Sequence, residues 1–226
     1  MKYNGRIFTP LVAIFVIAAW HISYFFINYS ESRAFLIGDG FLRYDFIYAP
    51  FILVFLWWLG KKYDEARFYS ERDYLTGLYN RRFVWAKFPG MLERASRSKQ
   101  ELRIFLVDID SFKMINDTCG HEIGDEVVQG VSAALLRNTM PSCMVARWGG
   151  DEFLIITSQL KDKSPDTLVR MIERTLQSLS RDVGREITVS IGDAIYPIDA
   201  RSPNELIRIA DQRMYTHKVR HLLDSV

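Results

Sequence analysis

Three kinds of hydrophobic spacing divide this chain. Up to residue 60 the apolar residues run almost unbroken: residues 7–27 contain no charged side chain, and neither do residues 46–60. An apolar run of about 20 residues is long enough for a helix to cross a bilayer. If Arg43 and Asp45 sit at a headgroup boundary, the second run extends to 41–60, and Trp57-Trp58 near its end suit an interfacial aromatic belt. Lys2 and Arg6 precede the first run, while Lys61-Lys62, Arg67 and Arg72 follow the second, which places both ends on the cytoplasmic side. A cleaved signal peptide is the competing reading, but the first run is long for one and continues past Ala18-Ala19 into Trp20, Tyr24 and Phe25. The pattern therefore predicts a two-helix membrane anchor over residues 1–60, with a small external loop from about 28 to 44.

Beyond residue 60 the spacing becomes periodic. Leu56, Leu59, Tyr63 and Ala66 recur at three- and four-residue intervals, so one helix is expected to leave the second span and form a linker over 61–73 that can pair with a second copy. Thr76-Gly77 breaks it. Asn80 caps the next helix, which runs to about Arg97 with Phe83, Phe88 and Leu92 inward. Leu102–Ile109 is an apolar, β-rich run ending in acids, which reads as a buried central strand. Helices follow at 122–138 (Val127, Val128, Val131 and Leu135 inward), at 168–179 (Ile172 and Leu176) and at 203–218 (Leu206, Ile207, Ala210 and Met214). Short β-rich runs at 143–146, 153–157 and 187–195 read as strands, and Gly192 in the last signals close backbone approach or a bulge. Residues 74–226 thus form an α/β (α+β) domain long enough to bury a core. The net charge of +2, from 29 basic and 27 acidic residues, leaves no excess for a nucleic-acid partner. The two cysteines, Cys119 and Cys143, fit a reducing compartment, and no Cys/His cluster has zinc spacing.

Two places carry chemistry that a core does not need. In 146–153, Ala-Arg-Trp-Gly-Gly-Asp-Glu-Phe, Gly149-Gly150 reads as a hairpin turn with the positive φ that glycine accepts. Asp151 and Glu152 follow on the returning strand, hard-oxygen donors beside a bare backbone. Read alone, this is a surface hairpin with two solvated acids. The second place is the end of the central strand, where Asp108 and Asp110 alternate around Ile109 and so project from one face. Carboxylates there are costly without a partner, and a divalent ion is a natural one. Lys113 can supply charge to phosphates, and Asn116 and Asp125 carry groups able to read a purine edge. Lys218, near a helix C-terminus, is favoured there by the helix dipole even without a ligand. Together, the two acid clusters point to a magnesium-nucleotide site.

These stretches resemble the GGDEF family of bacterial diguanylate cyclases over roughly residues 73–218. The resemblance rests on Asp73-Tyr74-Leu75-Thr76-Gly77-Leu78 with Asn80-Arg81-Arg82, on 108–125, on Gly149-Gly150-Asp151-Glu152-Phe153, on Val189-Ser190-Ile191-Gly192, and on Ala210-Asp211 through Tyr215 and Lys218. It implies a palm-like fold, a mixed and mainly antiparallel sheet flanked by helices, here behind two transmembrane helices. It implies a nucleotidyltransferase that joins two GTP into cyclic di-GMP as a homodimer, using Mg2+ or Mn2+, at the bacterial inner membrane with its catalytic domain cytoplasmic. Cyclic di-GMP effectors or phosphodiesterases would act downstream. Carried over by position, Asp108, Asp151, Glu152 and the carbonyl of Ile109 would hold the metal, with Asp151 also at the usual base position. Asn116 and Asp125 would read guanine beside His121, Lys113 and Lys218 would neutralise phosphates, and Gly149-Gly150 would admit the nucleotide. Two departures stand out. The Arg-x-x-Asp product-inhibition site is Met140-Pro141-Ser142-Cys143 here, and the arginine usually found shortly after the final lysine is Leu222. The altered tail keeps a second reading open, that of a catalytically silent signalling protein that docks partners.

Overall fold

The computed structural model describes residues 4–27, 40–158 and 165–224, and the chain divides into two compact units, 1–70 and 71–226. The first unit pairs helix α1 (Gly5–Ile27) with helix α2 (Gly40–Glu71). Asp64 of α2 accepts from the first free amides of α1, Gly5 N at 2.8 Å and Arg6 N at 3.1 Å, which satisfies donors that a helix start leaves orphaned. Thr9 Oγ1 donates to the Leu56 carbonyl at 2.8 Å. A Cβ on Gly60 would strike the backbone of Gly5, so the crossing requires glycine there.

The membrane anchor and the inner-membrane, multi-pass location expected from the front of the chain are not upheld. Among the described residues no helix is long and apolar enough to cross a membrane. Thr9, Pro10, Trp20, His21, Ser23 and Tyr24 dilute the apolar content of α1. In α2, Arg43 and Asp45 on one side and Lys61, Lys62, Asp64 and Glu65 on the other leave a charge-free stretch short of the ~20 residues a span needs. The external loop expected at 28–44 lies mostly outside the described residues, and from Gly40 onward that segment is helix.

The second unit is a five-stranded mixed sheet covered by helices on both faces. Its strands are β1 (Tyr79–Asn80), β2 (Leu102–Ile109), β3 (Met144–Arg147), β4 (Glu152–Thr157) and β5 (Val189–Tyr196), in the spatial order β1-β3-β4-β2-β5. Only β1 and β3 run parallel; every other pair is antiparallel. The helices are α3 (Arg81–Arg97), α4 (Phe112–Cys119), α5 (His121–Asn138), α6 (Pro165–Val183) and α7 (Pro203–Asp224). Alternation along β2 assigns the two cores. Phe105, Val107 and Ile109 pack with α5 and α6, while Leu102, Ile104 and Leu106 pack with α3 and α7. A strand sandwiched this way must be apolar on both faces, which is why 102–109 showed no alternation. Asn80 caps α3, accepting from Phe83 N at 2.9 Å, and Phe83, Phe88 and Leu92 are buried as their spacing indicated.

Candidate active site

The chain's acids gather at the C-terminal end of β2. Because β2 lies between β4 and β5, Asp108 is paired in register with Glu152 on one side and Ser190 on the other. Cross-strand partners project from the same face, so these three side chains form a row beneath α7. Ile109 turns the other way and is fully buried, and its N–H donates to the Asp151 carbonyl at 3.2 Å, tying the hairpin loop to the strand end.

Asp108 is only 7% exposed, a position too costly for a carboxylate without a partner. Its partner is Lys218, whose Nζ donates to Oδ1 at 2.5 Å. Gly192 on β5 makes that reach possible. A Cβ there would collide with the Ala210 carbonyl and the Met214 amide, so α7 lies directly on the strand. Lys218 sits one turn beyond Met214 and hangs over the row. Asp110 accepts from β5 and the residue before it: Ser190 Oγ, in the row beside Asp108, donates to it at 2.7 Å and Thr188 Oγ1 at 2.8 Å.

Burial raises the Asp108 pKa; the bond and charge of Lys218 pull it back only in part, and Asp151 and Asp110 push it further up. Glu152 is raised by burial and by the fields of Asp108, Asp151 and Asp211, against a lowering from Arg81. For Lys218, burial opposes the charge, but its bond to Asp108 and the surrounding carboxylates outweigh burial and raise its pKa. One ammonium therefore faces several acids, and the row is left with excess negative charge. That oxygen-rich set fits a hard divalent cation of the magnesium kind, which is commonly held by one or two carboxylates and completes its shell with water and substrate phosphates. Among the described residues no three Asp, Glu, His or Cys side chains form a cage by themselves, so an ion here would draw on the Ile109 carbonyl and on a bound phosphate as well.

The hairpin departs from the turn its sequence suggested. Strands β3 and β4 enclose a four-residue loop, 148–151, closed by Trp148 N and Gly149 N donating to the Glu152 carbonyl at 2.7 and 3.2 Å. Neither Gly149 nor Gly150 has positive φ; the glycines that do are Gly77, Gly120 and Gly184. The Glu152 side chain lies against Gly149, where an added Cβ would come 2.6 Å from its flexible end, Oε2.

Residues outside the expected set hold this loop. Arg147 donates from Nε and Nη2 to the Gly150 carbonyl at 3.1 and 2.7 Å, and from Nη1 to both Asp73 oxygens at 3.1 and 3.3 Å. Asp73 also accepts from Thr76 N and Oγ1 at 3.0 and 2.8 Å. Arg81 lies over the Trp148 ring at 4.7 Å, and Trp85 packs against that ring at 5.5 Å. In the sequence Asp73, Thr76 and Arg81 stood out only as parts of the family motif, and nothing joined them to Arg147.

Residues proposed to read a base stand at the α4–α5 junction, which follows directly from the end of β2. Asn116 Oδ1 fills the space that a Cβ on Gly124 would need, which sets its carboxamide against the first turn of α5, next to Asp125. Lys113, His121 and Asp125 are exposed. At the altered product site, Met140 is half exposed, and the Cys143 thiol donates to Thr157 Oγ1 at 3.2 Å. Two grooves, about 600 Å³ along α6 and about 290 Å³ beside α7, are lined by neither Asp108, Asp151 nor Glu152.

A family model described as "Diguanylate cyclase, GGDEF domain" matches residues 70–221. The chain is 34% identical to diguanylate cyclase DosC of Escherichia coli over 161 residues, 70% of this chain and 35% of that protein. It is 32% identical to the response regulator PleD of Caulobacter vibrioides over 169 residues, 71% of this chain and 37% of that one. The chain thus spans about a third of the length of the curated relatives it matches. Among solved structures, the coiled coil and GGDEF domain of DgcB from Caulobacter crescentus, in complex with c-di-GMP, superposes with a TM-score of 0.60 at 27% identity, covering 71% of this chain and 86% of that one. With the sheet, the hairpin and the acid row in agreement with that match, the chain belongs to the GGDEF family of diguanylate cyclases.

Proposed function

We propose that this chain is a diguanylate cyclase. Two copies, each holding one GTP, join them into cyclic di-GMP and release two pyrophosphates, with Mg2+ or Mn2+ as cofactor. The observation that carries this reading is the row of buried Asp108 and partly buried Glu152, with Asp151 beside it on the hairpin of a GGDEF chain. Each half-reaction forms a bond from the 3′-oxygen of one GTP to the α-phosphorus of the other. The bond from that phosphorus to the pyrophosphate oxygen breaks, and the 3′-hydroxyl proton passes to a base.

A bound divalent ion supplies charge neutralisation for the triphosphate and makes the 3′-hydroxyl easier to deprotonate. Asp108, Glu152, Asp151 and the Ile109 carbonyl are the groups to hold it, with Asp151 placed to take the proton. Asn116 and Asp125 read the guanine edge beside His121. Lys113 and Lys218 draw phosphate charge, while the bare backbone of Gly149 and Gly150 lets the nucleotide approach. Little covalent work is left to the protein, because positioning and charge stabilisation carry most of such a transfer. Residues 61–73 serve as the linker of this arrangement and 74–226 as the catalytic domain; pairing of α2 with its counterpart in a second copy would bring the two half-sites together.

The test is purified full chain incubated with GTP and Mg2+, with cyclic di-GMP measured by chromatography. Product is expected from the wild type and none from Asp151→Ala at an unchanged melting temperature. A folded dimer that makes no product at any GTP concentration overturns the reading. The silent alternative is favoured by Leu222 at the usual arginine position. GTP binding without turnover, together with a cellular phenotype that survives Asp151→Ala, would select it.

A further inference from the structure

Lys218 was expected to contact phosphate, yet its ammonium is bonded to Asp108, a carboxylate assigned above to the metal. We propose that Lys218 is the resident counter-cation of the acid row, and that a divalent ion entering the row displaces it and thereby frees its ammonium for a triphosphate. The inference rests on the functional reading above.

Three observations carry it. First, Lys218 already holds Asp108 Oδ1 in a site that is mostly buried, where a divalent ion on the same carboxylate would lie close to the ammonium and repel it strongly. Second, the side chain can leave without moving its helix. Lys218 is about a third exposed on a four-carbon stem, while the backbone of α7 is fixed four residues earlier by its contact with Gly192. Third, the neighbouring acid at the strand end cannot recapture it at full strength, because both oxygens of Asp110 already accept from Ser190 and Thr188. The freed ammonium is therefore left at the rim of the row, in the place where a nucleotide's phosphates would arrive.

Binding of ion and nucleotide then becomes coupled. The ion releases the lysine to the phosphates, and phosphates that hold the lysine remove the ion's competitor; by linkage each favours the other equally.

The experiment measures Mn2+ binding to the full chain without nucleotide, by electron paramagnetic resonance of free Mn2+. Lys218→Met keeps the stem and removes the charge, and it should bind Mn2+ roughly tenfold more tightly than wild type, the scale of one charge-assisted hydrogen bond. Lys113→Met removes equal charge from an exposed lysine and should change the affinity less than about twofold. On the unmutated chain, acylation of Lys218 followed by mass spectrometry should rise several-fold when Mn2+ is added, which decides the matter even if the variant folds poorly. An unchanged or weaker Mn2+ affinity in Lys218→Met, an equal gain in Lys113→Met, or labelling indifferent to Mn2+ each overturns the exchange. If wild type binds no Mn2+ even with a non-hydrolysable GTP analogue, the cyclase reading of the site falls as well.

Discussion

Asp73 offers the most direct test of how the hairpin is held. Its carboxylate is 16% exposed and accepts from Arg147 and twice from Thr76, while Arg147 holds the Gly150 carbonyl with its remaining donors. Asp73→Ala removes the whole set and leaves a largely buried guanidinium with one partner fewer. A hydrogen bond to a charged group contributes about 1.5–3 kcal/mol, and bonds sharing one carboxylate are not additive, so the expected loss is about 3 kcal/mol. In a chain of this size that lowers the melting temperature by roughly 6–12 °C. Asp73→Asn keeps an oxygen for Thr76 and should lose about half as much. The pH dependence gives a second reading. Burial works against the Asp73 charge, but the bonds from Thr76 and Arg147 outweigh it and hold the pKa below the usual carboxylate value. For a depressed acid, the unfolded chain takes up the proton first as pH falls. The stability gap between wild type and Asp73→Ala should therefore be full above the unfolded pKa of about 4 and shrink as pH falls through the native value. Urea titrations at neutral pH and in acid measure both. A midpoint unchanged at neutral pH, or a gap of equal size in acid, would refute the clamp.

Two further outcomes are expected. Gly192→Ala places a methyl group against the Ala210 carbonyl and the Met214 amide, backbone atoms that cannot yield as a side-chain tip can. It should cost about 3 kcal/mol or more in a urea melt and loosen Lys218 from Asp108. The position usually occupied by the product brake carries a half-exposed Met140 and a thiol bonded to Thr157, neither able to grip a phosphate or a guanine in a bidentate way. Added cyclic di-GMP should therefore leave the initial rate unchanged; strong inhibition that disappears on changing Met140 or Cys143 would contradict this.

The elements were legible where one residue's neighbours along the chain decide its environment. Val127, Val128, Val131 and Leu135 announced the buried face of α5 by spacing alone, and the apolar run at 104–107 announced a strand covered on both faces. Reading failed where space or distant partners decide. The two hairpin glycines look like a positive-φ turn, but neither has positive φ, and the loop is closed instead by two amides donating to the Glu152 carbonyl. Asp110 matched Asp108 in alternation, yet the hydroxyls at 188 and 190, nearly eighty residues away, claim it. Lys218 was read as a cation for phosphate, while its bond to Asp108 depends on how α7 lands on Gly192, which no local pattern encodes. At the front of the chain, counting uncharged residues took no account of the polar positions within them, and no described helix is long and apolar enough to cross a membrane.

The position of Asp108 on a strand paired along both edges has an evolutionary corollary. It is paired in register on both sides, within runs of six and eight matched positions, so the spacing of its neighbours belongs to the same hydrogen bonds that hold the core. A descendant could not lose the chemistry by letting strands slip, because a slip would turn every core side chain toward the wrong face. It could lose the chemistry by a single change at 108, 151 or 152 and keep its shape. In such a lineage, architecture outlives catalysis, and the two are told apart by three carboxylates rather than by the fold that carries them.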